Sequence, residues 1–299
     1  MLGYLILFNS PLLTCNACSC STSYWGSGLI TDYRSNFYRV SYFNSKYKSS
    51  PEHDILTSDR FSQVDLSFRY AIGKDNRIRV MAHVPYSINT RVEDGKTLSV
   101  KGLSDIRIIA NYVAIDNIVI SDKTKLNLEV GGGLSLPSGK YNAKLRNENL
   151  PENFNIGKGT LGYIFQLNAV LNLGKNGIVL NQSYQVNSDT KSGYHFGNTY
   201  NTQITAFREI EAKGFKLIPN LGLGIEGTSK DRYANGNNVP ETGGKGLFLS
   251  PSINFKNENW LAGFTYSVPL AQEYAQGIVK AKSKIACYFS YFFKKNSTL

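Results

Sequence analysis

The 299-residue chain carries 33 Lys and Arg against 22 Asp and Glu, a formal charge of +11, and 41% of its residues are hydrophobic. No stretch approaches the roughly 18 consecutive apolar residues of a membrane-spanning helix, and an aromatic content of 12% is too high for a disordered chain. Helical membrane proteins and disordered tails are therefore excluded. The basic balance suits an anionic partner such as nucleic acid, lipopolysaccharide or an acidic solute, and does not by itself choose among them.

Residues 2–8 are apolar and give way to Asn9, Ser10 and Pro11, then to Leu12, Leu13 and Thr14. An apolar block that breaks before small or polar residues is how an export signal ends, so residues 1–14 are read as a signal cleaved near Thr14. A buried strand is the alternative, because the usual basic start is missing, and residues 12–15 also loosely match a lipoprotein signal. Cys15, Cys18 and Cys20 follow at once in a Cys-rich segment, 15–35. Thiolates at this spacing can bind a soft metal such as Cu(I) or Zn, two of them can pair as a disulfide in an oxidising compartment, and Cys15 can carry a lipid. Three ligands do not close a tetrahedral site. The remaining cysteine, Cys287, sits in an apolar pattern and reads as a lone packed or lipid-facing thiol.

From residue 36 the periodicity is two. Val64, Leu66, Phe68 and Tyr70 alternate with Asp65, Ser67 and Arg69, while Ile78, Val80, Ala82, Val84 and Tyr86 alternate with Arg77, Arg79, Met81 and His83. Twelve such segments are read: 36–46, 61–72, 76–86, 103–113, 124–136, 161–173, 177–187, 195–208, 215–227, 246–256, 259–269 and 281–293. At roughly 10 to 13 residues each they exceed the usual soluble strand and suit a tilted bilayer crossing. Connections at 73–76, 174–177 and 256–258 are tight, whereas 47–60, 87–102, 137–160 and 228–245 are long and polar. Short turns at one end and long loops at the other mark outer-membrane barrels. Aromatic residues near strand ends, among them Tyr38, Tyr70, Tyr112, Trp260 and Tyr291, fit interfacial girdles. The expectation is an all-β, antiparallel, up-and-down transmembrane barrel of about twelve strands over 36–293, followed by a tail at 294–299. Pro85, Pro219, Pro251 and Pro269 stand against a closed barrel, which has no edge on which a missing N–H is harmless.

Several motifs point the same way. The Cys-rich start with Ser23-Tyr24-Trp25-Gly26, Phe37-Tyr38-Arg39-Val40-Ser41-Tyr42, Val84-Pro85-Tyr86, Gly102-Leu103-Ser104-Asp105-Ile106, residues 131–142 from the glycine triplet to Tyr141-Asn142, and Tyr194-His195-Phe196-Gly197-Asn198 resemble transporter-like outer-membrane proteins of the Bacteroidetes. These are similar to the MetA-pathway-of-phenol-degradation barrel family. The resemblance implies a barrel exported through the periplasm to the bacterial outer membrane, in contact with lipid, with no catalytic residues and no named substrate. Asn16 and Ser19 depart from the pattern within the cysteine cluster, which weighs against a metal there.

With apolar residues facing lipid, the alternate phase lines the lumen. It holds Arg39, Arg69, Arg77, Arg79 and Arg107 with Asp65, Asp105, Glu129 and Glu226. These charges either brace the interior as ion pairs or form an anion-selective constriction, and the two roles are compatible. Catalysis is not expected: His83 has Met81 and Pro85 at the same-face i±2 positions, His195 has Gly193 and Gly197, and His53 lies in a loop. Gly131-Gly132-Gly133 lies within a strand and opens no helix, so no nucleotide-binding loop, cofactor or nucleic-acid partner is expected. The expected function is a passive, porin-like channel for a small solute. The alternative is a non-conducting structural or assembly barrel that binds a partner or metal through its cysteine segment or loops.

Overall fold

The computed structural model describes residues 35–49, 56–73, 75–145 and 150–293. The export signal, Cys15, Cys18, Cys20 and the C-terminal tail lie outside the described residues. Twelve antiparallel strands form the wall. They are β1 Asn36–Ser49, β2 Thr57–Ile72, β3 Ile78–Glu93, β4 as two stretches Lys96–Leu103 and Arg107–Ser121, β5 Thr124–Ser135, and β6 Gly162–Leu173. They continue with β7 Asn176–Asn187, β8 as Thr199–Arg208 extended by Ile210–Ala212, β9 Phe215–Thr228, β10 Gly244–Lys256, β11 Trp260–Tyr274 and β12 Val279–Phe293. Each strand pairs with its sequence neighbours, and β1 pairs with β12 from Asn36↔Phe293 to Ser49↔Val279, which closes the barrel.

Alternation drives this closure. On β2, Asp65, Ser67 and Arg69 are buried while Val64 and Leu66 are exposed, and on β3, Arg79, Met81 and His83 are buried while Ile78 is exposed. The exposed apolar set, which also includes Ile108 and Tyr112 on β4, is the lipid face. Rings gather on that face near the barrel's termini. Tyr38 stacks on Phe293 at 4.9 Å and lies 5.1 Å from Phe68, and Trp260 stacks on Phe289 at 6.2 Å.

The connections 73–77, 122–123, 174–175, 213–214 and 257–259 are all at the end that carries both barrel termini, and the longest loops, 136–161 and 229–243, are at the other. By the asymmetry of outer-membrane barrels the turn end is periplasmic and the loop end extracellular. One expected loop is absent. Residues 87–102 instead continue β3 and begin β4, paired from Tyr86↔Leu103 to Glu93↔Lys96 and joined by Asp94-Gly95 in the left-handed conformation, with φ of 48° and 75°. Those two positive φ values are what a two-residue hairpin turn requires.

Each of the four strand prolines sits where a ladder is interrupted. Pro85 is mid-strand, not near an end as the sequence suggests, and its β4 neighbour is broken between Leu103 and Arg107. Pro219 stands beside the break of β8 between Arg208 and Ile210. Pro251 falls in a gap of the β10–β11 ladder between Leu249↔Val268 and Ser252↔Thr265, and Pro269 abuts the irregularity at Leu247/Phe248. The barrel accommodates residues without an N–H by local breaks in place of an edge.

Candidate functional site

The interior is apolar toward both ends and charged between. At the extracellular end, loop 136–161 folds inward: Leu145, Leu150 and Phe154 pack with Tyr47, Phe61, Phe248 and Tyr274 from the wall. At the periplasmic end Val170, Val179, Phe207 and Ile218 form one cluster, and Phe37, Met81, Leu261 and Phe292 belong to another.

Between them, strand register sets the charges in rows. Arg39 is opposite Ser67, Ser67 opposite His83, and His83 opposite Arg107. Glu129 on β5 accepts from Arg69 Nη2 at 2.6 Å and from Arg79 Nη1 at 2.8 Å, with all three side chains within 3% of full burial. One carboxylate between two guanidiniums compensates charges that would be expensive to bury singly. The nearby wall is stripped of side chains at Gly131 and Gly133, where a Cβ would fall on the Asn111 amide oxygen and the Ile108 carbonyl. The glycines thus relieve crowding.

Asp65 is the second hub. Its Oδ1 lies 2.9 Å from His83 Nδ1 and accepts from the Ser67 hydroxyl, while Arg107 Nη2 stands 3.7 Å from Oδ2. Ser67 Oγ is also 3.0 Å from His83 Nδ1. A Ser, a His and an Asp thus meet across two strands, a pairing that a search along one strand misses. The geometry is not that of a relay, because hydroxyl and carboxylate converge on the same ring nitrogen, whereas a nucleophile needs the base's other nitrogen. Arg39 donates through Nε to Ser290 Oγ at 2.6 Å, with its guanidinium 4.6 Å from the Phe37 ring and 5.0 Å from that of Tyr288.

One of the expected lumen residues, Arg77, is elsewhere, and another, Asp105, borders the interior cavity from a break in the ladder. Arg77 precedes β3 and is exposed at the periplasmic turn, where Nη1 contacts Tyr112 Oη at 3.4 Å, because inward-outward alternation begins only at Ile78. Asp105 lies in the break of β4. Its oxygens accept from Gly139 N at 3.0 Å and Lys158 N at 2.8 Å, so it clamps the two legs of loop 136–161 together. The legs cross at Gly139 and Gly157, where a Cβ on either would collide with the other's backbone.

Sequence reasoning missed two further pairs. Arg91 grips Asp59 through Nε–Oδ1 at 2.8 Å and Nη2–Oδ2 at 2.7 Å, and its guanidinium lies 5.0 Å from the Phe154 ring of the inserted loop. Both residues fall in segments that read as loops. Lys284 pairs with Glu226, which also accepts from Tyr274 Oη at 2.8 Å. Lys284 shares the inward phase of Tyr288 and Ser290 on β12, and the register shift between Ser45 and Tyr47 reverses the phase only beyond it, placing Ala281 and Val279 inward. Beside the charged arc is a cavity of about 80 Å³. Its lining includes Arg107, Asp105 and Lys158 on one side and Gln166, Ser183, Gln185 and Asn201 on the other. Cys287 on β12 is a half-buried free thiol.

The extracellular loops form their own network. Asp231 accepts from Tyr194 Oη and from Gly197 N, both at 2.7 Å, and its own N–H donates to Thr242 Oγ1 at 3.0 Å. Burial holds the Asp231 carboxyl above its ordinary range, and burial with the adjacent Asp231 charge raises the Tyr194 phenol. Tyr141 is pushed up to about 12 by burial and by Glu152.

A closed antiparallel wall, an apolar outer face with aromatic belts and turn-loop asymmetry define a bacterial outer-membrane β-barrel. The chain belongs to the family described as "Putative MetA-pathway of phenol degradation", which matches residues 56–274. The fold is similar to an outer membrane channel from Pseudomonas putida F1, with a TM-score of 0.65 at 15% identity over 90% of this chain and 98% of that one. It is also similar to the β domain of the Bordetella autotransporter BrkA, with a TM-score of 0.53 at 13% identity over 87% and 100% of the two chains. The transport unit of the autotransporter AIDA-I from Escherichia coli gives 0.52 at 10% identity over 93% and 96%. At such identities the likeness is one of fold. No curated protein matches the chain in sequence. The matches carry the family and not the Bacteroidetes grouping within it.

Proposed function

We propose that the barrel is a passive channel for a small solute and that its interior charge favours anions. The observation that carries this reading is the imbalance inside the wall. Arg39, Arg69, Arg79, Arg91, Arg107 and Lys284 are buried there against Asp59, Asp65, Glu129 and Glu226. A surplus of fixed positive charge in a low-dielectric passage raises the local concentration of anions and repels cations. The family and the likeness to an outer membrane channel agree with transport. Purified protein in planar bilayers tests the reading: a reversal potential of the anion-selective sign under a salt gradient supports it, and cation selectivity refutes it.

The second reading, a non-conducting structural or assembly barrel, is favoured by the insertion of Leu145, Leu150 and Phe154 into the extracellular end. Absence of current from the intact chain, together with absence of current after the loop is released by Asp105→Ala, selects it.

A further inference from the structure

Loops 136–161, 188–198 and 229–243 meet above the membrane and form an open cleft of about 600 Å³, whose walls include Tyr141, Tyr194, Tyr233 and Pro151. Glu152 is the one charged residue among the described residues lining it, although the chain as a whole has a formal charge of +11. We propose that this cleft binds a small organic ammonium ion, with the tyrosine rings as an aromatic cage and Glu152 as counter-charge.

Three observations support the assignment. The rings do not form one flat platform: Tyr194 and Tyr233 are edge-to-face at 6.4 Å and 77°, and Tyr141 lines the cleft from another loop. Rings turned at large angles to one another offer π-density from several directions, which suits a diffuse, weakly hydrated cation and gives a sugar no stacking floor. The walls are also fixed before any ligand arrives. Tyr194 is tied to Asp231, Gly197 to the same carboxylate, and His195 and Arg232 exchange two backbone hydrogen bonds at 2.9 Å. A cleft held this way loses little freedom on binding. Finally, Glu152 supplies a carboxylate beside the rings. Glu152 also lines the interior cavity, so the cleft adjoins the barrel's interior at that residue.

The test is calorimetric titration of the full chain in a polyoxyethylene detergent with choline, tetramethylammonium, sodium and glucose in turn. Saturable binding of choline and tetramethylammonium, with none for sodium or glucose, is expected. Glu152→Gln and Tyr233→Ala should each weaken it roughly tenfold, and Tyr233→Phe, which keeps the ring, should preserve it. Retention of the heat-resistant folded form on gels shows that each variant is a barrel. Binding of glucose in place of the ammonium ions, binding of neither, or equal affinity for choline in Tyr233→Ala and the parent chain overturns the proposal.

Discussion

Arg69 and Glu129 are 60 residues apart in sequence and 2.6 Å apart in space, and Arg79 completes the group from the neighbouring strand at 2.8 Å. The carboxylate spans from β5 past the bare wall at Gly131 to reach guanidiniums on β2 and β3.

Glu129→Gln removes the shared counter-charge and leaves two guanidiniums buried together. Breaking a buried pair in this way costs about 3 to 5 kcal/mol. Urea unfolding in lipid vesicles should show a loss of that size, and a loss below about 1 kcal/mol would mean that water, not Glu129, solvates the arginines.

Arg77 and Arg107 make a contrasting pair. Arg107 is buried and lines the interior cavity, whereas Arg77 is exposed at the periplasmic turn. Replacing Arg107 with Gln should move the reversal potential toward zero, and Arg77→Gln should leave it unchanged. An equal shift from both would show that surface charge at the mouth sets selectivity.

Asp105 holds the neck of the inserted loop through the backbone of Gly139 and Lys158. In Asp105→Ala those donors lose their acceptor, and single-channel records should show larger or more frequent openings than the parent. An unchanged record would assign the plug's position to the packing of Leu145, Leu150 and Phe154 alone.

Asp231 gives a pH dependence of unusual sign. Burial raises its folded value despite hydrogen bonds from Tyr194 and Gly197, so the folded chain keeps a proton that the unfolded chain releases near its ordinary value of about 3.9. The stability this residue contributes is fully present below that value and is lost as pH rises through the folded one. Amide exchange of the loops should therefore quicken across that window in the parent chain. In Asp231→Asn, which carries no titrating group there, this component should vanish.

The lipid face is tested at Leu66, which is 53% exposed and sits mid-strand on β2. Leu66→Arg near the bilayer midplane should cost about 2 to 4 kcal/mol of folding into vesicles. Phe68, nearer the turn end and within the aromatic belt, should tolerate Arg better, because the penalty falls toward the interface.

The period of two, the strand lengths and the turn-loop asymmetry were sufficient to read the barrel and its number of strands. These are local properties: alternation on a pleated strand decides which side meets lipid, whatever lies across the barrel. The cross-barrel partners were not legible. That Glu129 would bridge Arg69 and Arg79, that Ser67 would face His83, and that Asp105 would hold a loop neck depend on register and on the break beside Pro85, which pairing across strands determines. Lys284 shows the limit most plainly. It shares the inward phase of Tyr288 and Ser290 on β12, but period two does not say what a lysine meets across the interior, and only the closed sheet brings it to Glu226, 58 residues away in sequence.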